Sequence, residues 1–319
     1  MRRRALSGLL GLAGFLLMVI AAPAWALEAV LPVAHGQDVH TGTVGPDAAG
    51  VRLEQFVPGA EITDRALPRY AKRVEAAASY DGFDVPGPHL LIERVQIEGA
   101  LDIGTALPVV LRHVIVIAKR EAPWHVLQRP GAGRLFVLWS DIGGAMRTRS
   151  ASPHVGVALA VRGDGTTIHR SRVGAAADGV QIAGKDVRIT ECRIDALISR
   201  EGDHNDAVQI FDGAERIVIA RSHIENRHPQ TSAVTILGKD VSLQSNLIFG
   251  GGWTLYGGAK RNGKGEPGAT QVRVTGNVFS RTLNRKVGKF GPVTYWAEPE
   301  GSGNVWDDNR YESGVPVVP

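Results

Sequence analysis

Four stretches decide the fold: VRITECRI at 187–194, IVIARSHI at 217–224, VSLQSNLI at 241–248 and VRVTGNVF at 272–279. Aligned, they place apolar residues at offsets 0, 2 and 7 and a small or polar residue at offset 5. The columns read Val187, Ile217, Val241, Val272; Ile189, Ile219, Leu243, Val274; Cys192, Ser222, Asn246, Asn277; and Ile194, Ile224, Ile248, Phe279. Alternation with period 2 belongs to a strand that buries one face. The small residue at offset 5 marks a bend, where Asn and Ser can bond to nearby backbone or to their counterpart one repeat away. Cys192 stands in that column and is read as a small buried turn residue, not a nucleophile.

Working outward, Thr166, Ile168, Ser171 and Val173 continue the pattern upstream, and starts at Leu135, Val109 and Leu90 fit the same register. Each repeat carries a further short strand near a glycine: 179–182 before Gly184, 207–210 before Gly213, 233–236 before Gly238, with 292–295 as a late copy. Repeat starts lie 19 to 31 residues apart. Short strands in units of irregular length describe a β-solenoid, and the irregularity favours a right-handed parallel β-helix. The expected fold class is all-β, a single-stranded parallel β-helix.

The flanks complete the domain reading. Arg2, Arg3 and Arg4, the apolar run 9–22 and Ala24-Trp25-Ala26 form a secretory signal, so 1–26 is expected to be removed and the mature chain to start at Leu27. Residues 27–85 form an N-terminal extension, in which 65–78, preceded by Thr63 and Asp64, reads as a helix capping the solenoid. Residues 86–319 are the β-helix, with 306–319 closing its far end. The run 9–22 is short for a membrane span, and no later segment is long enough to be one.

Charge narrows the function. The whole chain has 36 basic and 32 acidic residues. Without the three signal arginines, 36 less 3 basic residues face 32 acidic ones, a net of +1. The high isoelectric point therefore does not indicate a nucleic-acid partner. A single cysteine forms no internal disulfide. There is no zinc spacing, phosphate-binding glycine loop or Gly-x-Ser-x-Gly elbow.

Two segments carry candidate chemistry. Asp178 and Asp206 each precede a repeat glutamine by three residues, so consecutive coils should bring them within about 5 Å, with Gln181 and Gln209 stacked beside them. Such a pair can share a proton, act as acid and nucleophile in a retaining glycosidase, or hold Ca²⁺ together with backbone carbonyls. Equally, each carboxyl can simply cap the turn before its strand. The loop 200–206 adds Arg200, suited to a substrate carboxylate, and His204, suited to general-base work. The second segment, 257–291, holds eight basic residues and one acid, including Lys260 and Arg285, beside Trp253, Tyr256, Tyr295 and Trp296. A locally basic, aromatic surface suits an anionic sugar.

The coil repeats from Leu90 to Trp306 and the Asn/Ser turn column resemble the pectate-lyase-like superfamily of right-handed β-helix proteins. The segment 204–209, His-Asn-Asp-Ala-Val-Gln, is similar to the His-x-Asp-Gly-x-Gln segment of secreted bacterial members of unassigned activity, with Ala207 in place of the glycine. The resemblance implies a secreted or periplasmic protein that meets an extracellular polysaccharide as a lyase, a uronan epimerase, a glycoside hydrolase or a non-catalytic binder. The Asp-Pro-His-Asp motif of alginate epimerases and the paired-Asp and Gly-His-Gly pattern of polygalacturonases are absent.

The expectation is lyase or epimerase chemistry on a uronate-containing glycan. His204 or Lys260 takes the C5 proton, Tyr256 donates to the leaving oxygen, and Arg200, Gln181, Gln209, Arg285 and Trp253 bind. A glycoside hydrolase built on Asp178 and Asp206 is the alternative, and a non-catalytic glycan-binding or envelope protein the third. No protein metal site is expected, Ca²⁺ at the carboxylates apart.

Overall fold

The computed structural model describes residues 53, 55–144, 153–257 and 268–319. The signal segment and Lys260 lie outside them. Three long sheets run along one axis, and each coil contributes a strand to each sheet in turn. The first sheet runs from Gln55–Pro58 to Arg310–Tyr311, the second from Glu61–Ile62 to Gly291–Thr294 and the third from Lys72–Val74 to Val305–Asp307. Within these three sheets the strands pair in parallel, except where Lys72–Val74 meets His89–Glu93. No described segment is helical, and no helix among the described residues could cross a membrane.

The repeat register holds in space. Val187 pairs with Ile217, Ile217 with Val241 and Val241 with Val272. Upstream, Leu90 pairs with Val109, Val109 with Leu135 and Leu135 with Thr166. The inward Val, Ile and Leu of all three sheets form one continuous buried cluster. Ile219, fully buried, stacks between Ile189 and Leu243.

The corner from the third sheet to the first is built identically in coil after coil. The residue at offset 4 has positive φ each time: Arg94, His113, Trp139, Arg170, Glu191, Arg221, Ser245 and Gly276. The left-handed conformation costs a non-glycine residue roughly 1–2 kcal/mol. At the first two corners the offset-5 residue is Val95 or Val114, which packs; from Ser140 onward it offsets that cost with a hydrogen bond to the preceding coil. Ser140 Oγ accepts from Val114 N, Ser171 Oγ from Ser140 N, and Ser222 Oγ from Cys192 N, at 3.1, 3.0 and 3.1 Å. Asn246 Oδ1 accepts from Ser222 N and Asn277 Oδ1 from Asn246 N, both at 2.9 Å, and Asn309 Oδ1 from Asn277 N at 3.1 Å. Cys192 is buried in this ladder with Sγ directed at the carbonyls of Ile168 and Thr190, and burial pushes its thiol up to about 12, as a packing residue requires.

The expected capping helix at 65–78 is not formed. Pro68 interrupts the segment, and Thr63 and Ala66 close a tight turn with reciprocal backbone bonds of 3.1 and 3.3 Å. Lys72–Val74 then pairs with the third sheet, and Ala78–Tyr80 forms a hairpin with Phe83–Val85. Tyr80 and Phe83 pack on Val110, Phe136 and Leu138 from the outer side of that sheet. Pairing with an open strand edge satisfies backbone groups that a helix would have left to solvent, and this overrides local propensity. At the far end Trp306 donates to the Val317 carbonyl at 2.8 Å and packs on Phe279 and Trp296.

Two outcomes follow for stability. Ile219→Asp should lower stability by several kcal/mol, about 3 or more, by burying an unpaired charge; an unchanged thermal melt would contradict the stacking. Asn277→Ala should lose roughly 1–3 kcal/mol in denaturant unfolding, because Asn246 N–H and its side-chain amide both lose their acceptor inside the corner.

Candidate functional site

The second sheet presents the sequence-marked residues on its outer side. Register places Ala160, Gln181, Gln209, Thr235, Tyr256 and Thr294 in one outward column on consecutive coils. Three residues earlier, Val157 pairs with Asp178 and Ser232 with Trp253, and Asp206 stands between Asp178 and Ser232, bonded to both coils. The two acids are therefore neighbours on adjacent coils, as their common repeat position requires. Between them a Cβ on Gly179 would collide with the Ala207 carbonyl, so only glycine allows this approach.

Asp178 is 9% and Asp206 4% exposed, and both cap the coil that follows. Asp178 Oδ1 accepts from Asp206 N at 2.8 Å, and its Oδ2 accepts from Gln181 Nε2 at 2.7 Å. Asp206 Oδ1 accepts from Ser232 N at 2.9 Å, Ser232 Oγ at 2.6 Å and Thr235 Oγ1 at 3.1 Å. Burial pushes Asp178 up to about 6, against the hydrogen bonds from Asp206 N and Gln181 and with the added repulsion of Asp206 and Asp203. Burial also raises Asp206, against its bonds from Ser232 and Thr235. Tyr256 is raised too, first by burial and then by the negative charge of Asp206.

Arg162, absent from the sequence reading, completes the centre. Its guanidinium donates to Gln181 Oε1 and lies over the Phe211 ring, 5.0 Å from the centroid. A chain of donors thus runs from a cation through Gln181 to Asp178. Its one available signal in the sequence was its place directly after Val161, which pairs with Ile182.

At the later end Trp253 packs against Phe290 at 6.2 Å, Tyr256 stacks on Tyr295 at 5.8 Å, and Lys289 Nζ sits 5.2 Å over the Phe290 ring. Arg285 is exposed in the same connecting segment. At the other edge, the loop 200–206 leads into the second sheet. His204 is exposed there. Asp203 accepts from Arg200 N at 2.7 Å and meets His154 Nε2 at 3.1 Å, and Arg200 reaches Glu121 at 3.1 Å. Asn205, fully buried, ties the loop down by donating to the carbonyls of Ala177 and Ile198. The structure therefore unites Asp178, Asp206, Gln181, Gln209, Tyr256 and Trp253 on one sheet, with His204 and Arg200 at its entry corner. Among the described residues, no group of three or more His, Cys, Asp or Glu side chains is arranged to hold a metal ion.

No protein-family model matches the chain, and no curated protein matches its sequence. Among solved structures, a variant of the periplasmic alginate epimerase AlgG aligns at a TM-score of 0.50 and 11% identity, over 69% of this chain and 50% of that one. This chain thus spans about half the length of AlgG. The Dettilon tailspike protein aligns at 0.43 and 15%, over 77% and 49% of the two chains. The A-module of the Azotobacter vinelandii mannuronan C-5 epimerase AlgE4 aligns at 0.30 and 11%, over 83% and 88%. The likeness to AlgG is one of fold, and together with the three parallel sheets and the corner ladder it identifies this chain as a right-handed parallel β-helix.

Proposed function

We propose that this is a secreted or periplasmic carbohydrate-active protein that cleaves or epimerises a uronate-containing polysaccharide on the outer face of its second sheet. The observation that carries the reading is the stacked Gln181–Gln209 rung, set between the Arg162 guanidinium and the Tyr256 phenol and backed by carboxyls that burial has raised. Amide, hydroxyl and aromatic groups at coil spacing suit successive sugar units. The periplasmic, alginate-epimerising neighbour of the same fold is consistent with this setting.

In this reading Arg162, with Arg200 and Arg285 at the edges, neutralises the sugar carboxylate, which acidifies C5–H. His204 or Lys260 removes that proton as base. In a lyase the C5 electron pair then forms the C4–C5 double bond, the C4–O bond breaks, and Tyr256 protonates the departing oxygen. In an epimerase a proton returns to C5 from the opposite face instead. A protonated Tyr256 fits the donor role. A hydrolase is less well supported, because the oxygens of Asp178 and Oδ1 of Asp206 are engaged in bonds that hold consecutive coils together.

The test is a panel of anionic and neutral polysaccharides, read by ultraviolet absorbance for an unsaturated uronate and by proton NMR for inversion at C5. One of the two signals should appear on an anionic substrate alone. Binding without product would favour a non-catalytic binder, and new reducing ends without unsaturation a hydrolase. On a turned-over substrate, Tyr256→Phe should lower kcat by about 10²–10⁴ with an unchanged melt. Asp206→Asn should remove turnover with the fold intact only if the hydrolase alternative holds.

Asp178 gives a pH signature independent of substrate. Its folded value of about 6 lies above the ordinary 3.8. The stability it contributes is therefore fully present below pH 3.8 and lost as pH rises through about 6. Asp178→Asn should flatten that part of the stability profile, by up to about 3 kcal/mol at pH 7. Melts of the two proteins that run parallel between pH 4 and 7 would contradict a buried, raised carboxyl.

A further inference from the structure

The first sheet carries a charged cluster that the chemistry on the second sheet does not use. Arg172, Arg193 and His223 occupy one outward column on three consecutive coils. Two residues further along their strands lie Asp195 and Glu225, 3% and 2% exposed. Arg172 grips Asp195 with Nε and Nη2 at 2.7 and 3.0 Å, and Arg193 Nε donates to the same carboxylate at 2.6 Å. His223 Nε2 meets Glu225 Oε2 at 3.0 Å, and Arg227 Nε donates to Oε1. Gly174, paired with Asp195, contributes no side chain over this acid. His223 packs edge-to-face against Phe249 of the next coil, with ring centroids 5.0 Å apart.

The acids sit below and the cations above. Burial would raise both carboxyls, but Arg172 and Arg193 hold Asp195 below its ordinary value, and His223 and Arg227 do the same for Glu225. Both acids stay ionised and fix the guanidiniums in place. Asp141 precedes Arg172 in the same column on the adjacent coil, so three arginines face three carboxylates, and what the cluster offers an anion is directed donors rather than net charge. The side chains of Arg193 and Arg227 are 36% and 65% exposed, and each reaches its acid through Nε. Their Nη groups have no partner among the described residues, so each offers a fork of donors on a guanidinium already immobilised, the arrangement that recognises a carboxylate with two parallel bonds.

We propose that this cluster is a second, non-catalytic binding track for an acidic polysaccharide, in which Arg193 and Arg227 take carboxylates of the glycan while Asp195 and Glu225 act as positioning residues. The track stands on the first sheet alone and does not need catalysis on the second. It would hold the polymer, raising its local concentration at the protein.

The experiment measures binding of oligogalacturonate to the full chain by calorimetry at low and high salt, with a neutral xylo-oligosaccharide as control. The Arg193→Gln/Arg227→Gln double variant should bind oligogalacturonate about five- to ten-fold more weakly at low salt, with the difference shrinking as salt rises. Arg227→Lys, which keeps the charge, should recover part of the loss in the double variant's background. Tyr256→Phe should leave this component unchanged, which separates the track from the second-sheet reading. Against an effect of the substitutions on folding, phenylglyoxal labelling of the unaltered protein, read by mass spectrometry, should be slowed at Arg193 and Arg227 by oligogalacturonate. Unchanged affinity in the double variant, equal binding of the neutral sugar, absence of oligogalacturonate binding, or unprotected Arg193 and Arg227 would each overturn the proposal.

Discussion

The corner between the third and first sheets is the constraint on which the rest of the molecule depends. Each coil must turn there from one sheet to the next within two residues, and the chain does so by placing one residue, seldom glycine, in the left-handed region. That conformation persists because the next side chain bonds the neighbouring coil, in a run of Ser, Cys and Asn. Each corner therefore depends on the adjacent coil for its acceptor or donor, and stability is shared along the solenoid by nearest-neighbour contacts.

A fixed corner lets the opposite edge vary. The connection from the first sheet to the second ranges from short turns to the loop 196–207, and residues there need not serve packing. The loop still returns in register, because Asp178 and Asp206 close the start of the second sheet just as Ser and Asn close the other corner. This explains why these acids are buried and why their carboxyls are raised. One arrangement both stacks the coils and sets acidic groups behind an outward row of Gln, Thr and Tyr.

The fold was legible because the corner and the core impose the same offsets on every coil. Reading Val187, Ile217, Val241 and Val272 as one column was enough to place strands as distant as Leu90. The segment 65–78 misled because its Ala, Arg, Lys and Glu content favours a helix, while the strand edge of His89–Glu93 offered it a better set of backbone bonds. Of the candidate site, the Asp and Gln pairs could be stacked from sequence since they share repeat positions. Whether the acids faced out or capped a turn depended on side-chain direction at a bend, which periodicity does not carry. Arg162 and Phe211 were missed because they meet only across coils of unequal length, and the His223–Glu225 and Arg172–Asp195 contacts because their alternation looked like that of any outward-facing strand.

The account places a uronate-containing glycan along the second sheet, and a crystal structure of the full chain soaked with an oligouronate tests this most directly. Sugar rings should lie over Gln181 and Gln209, with a carboxylate at Arg162 and a ring hydroxyl or glycosidic oxygen near Tyr256. An oligouronate that occupies other faces of the solenoid and leaves the second sheet bare would contradict it.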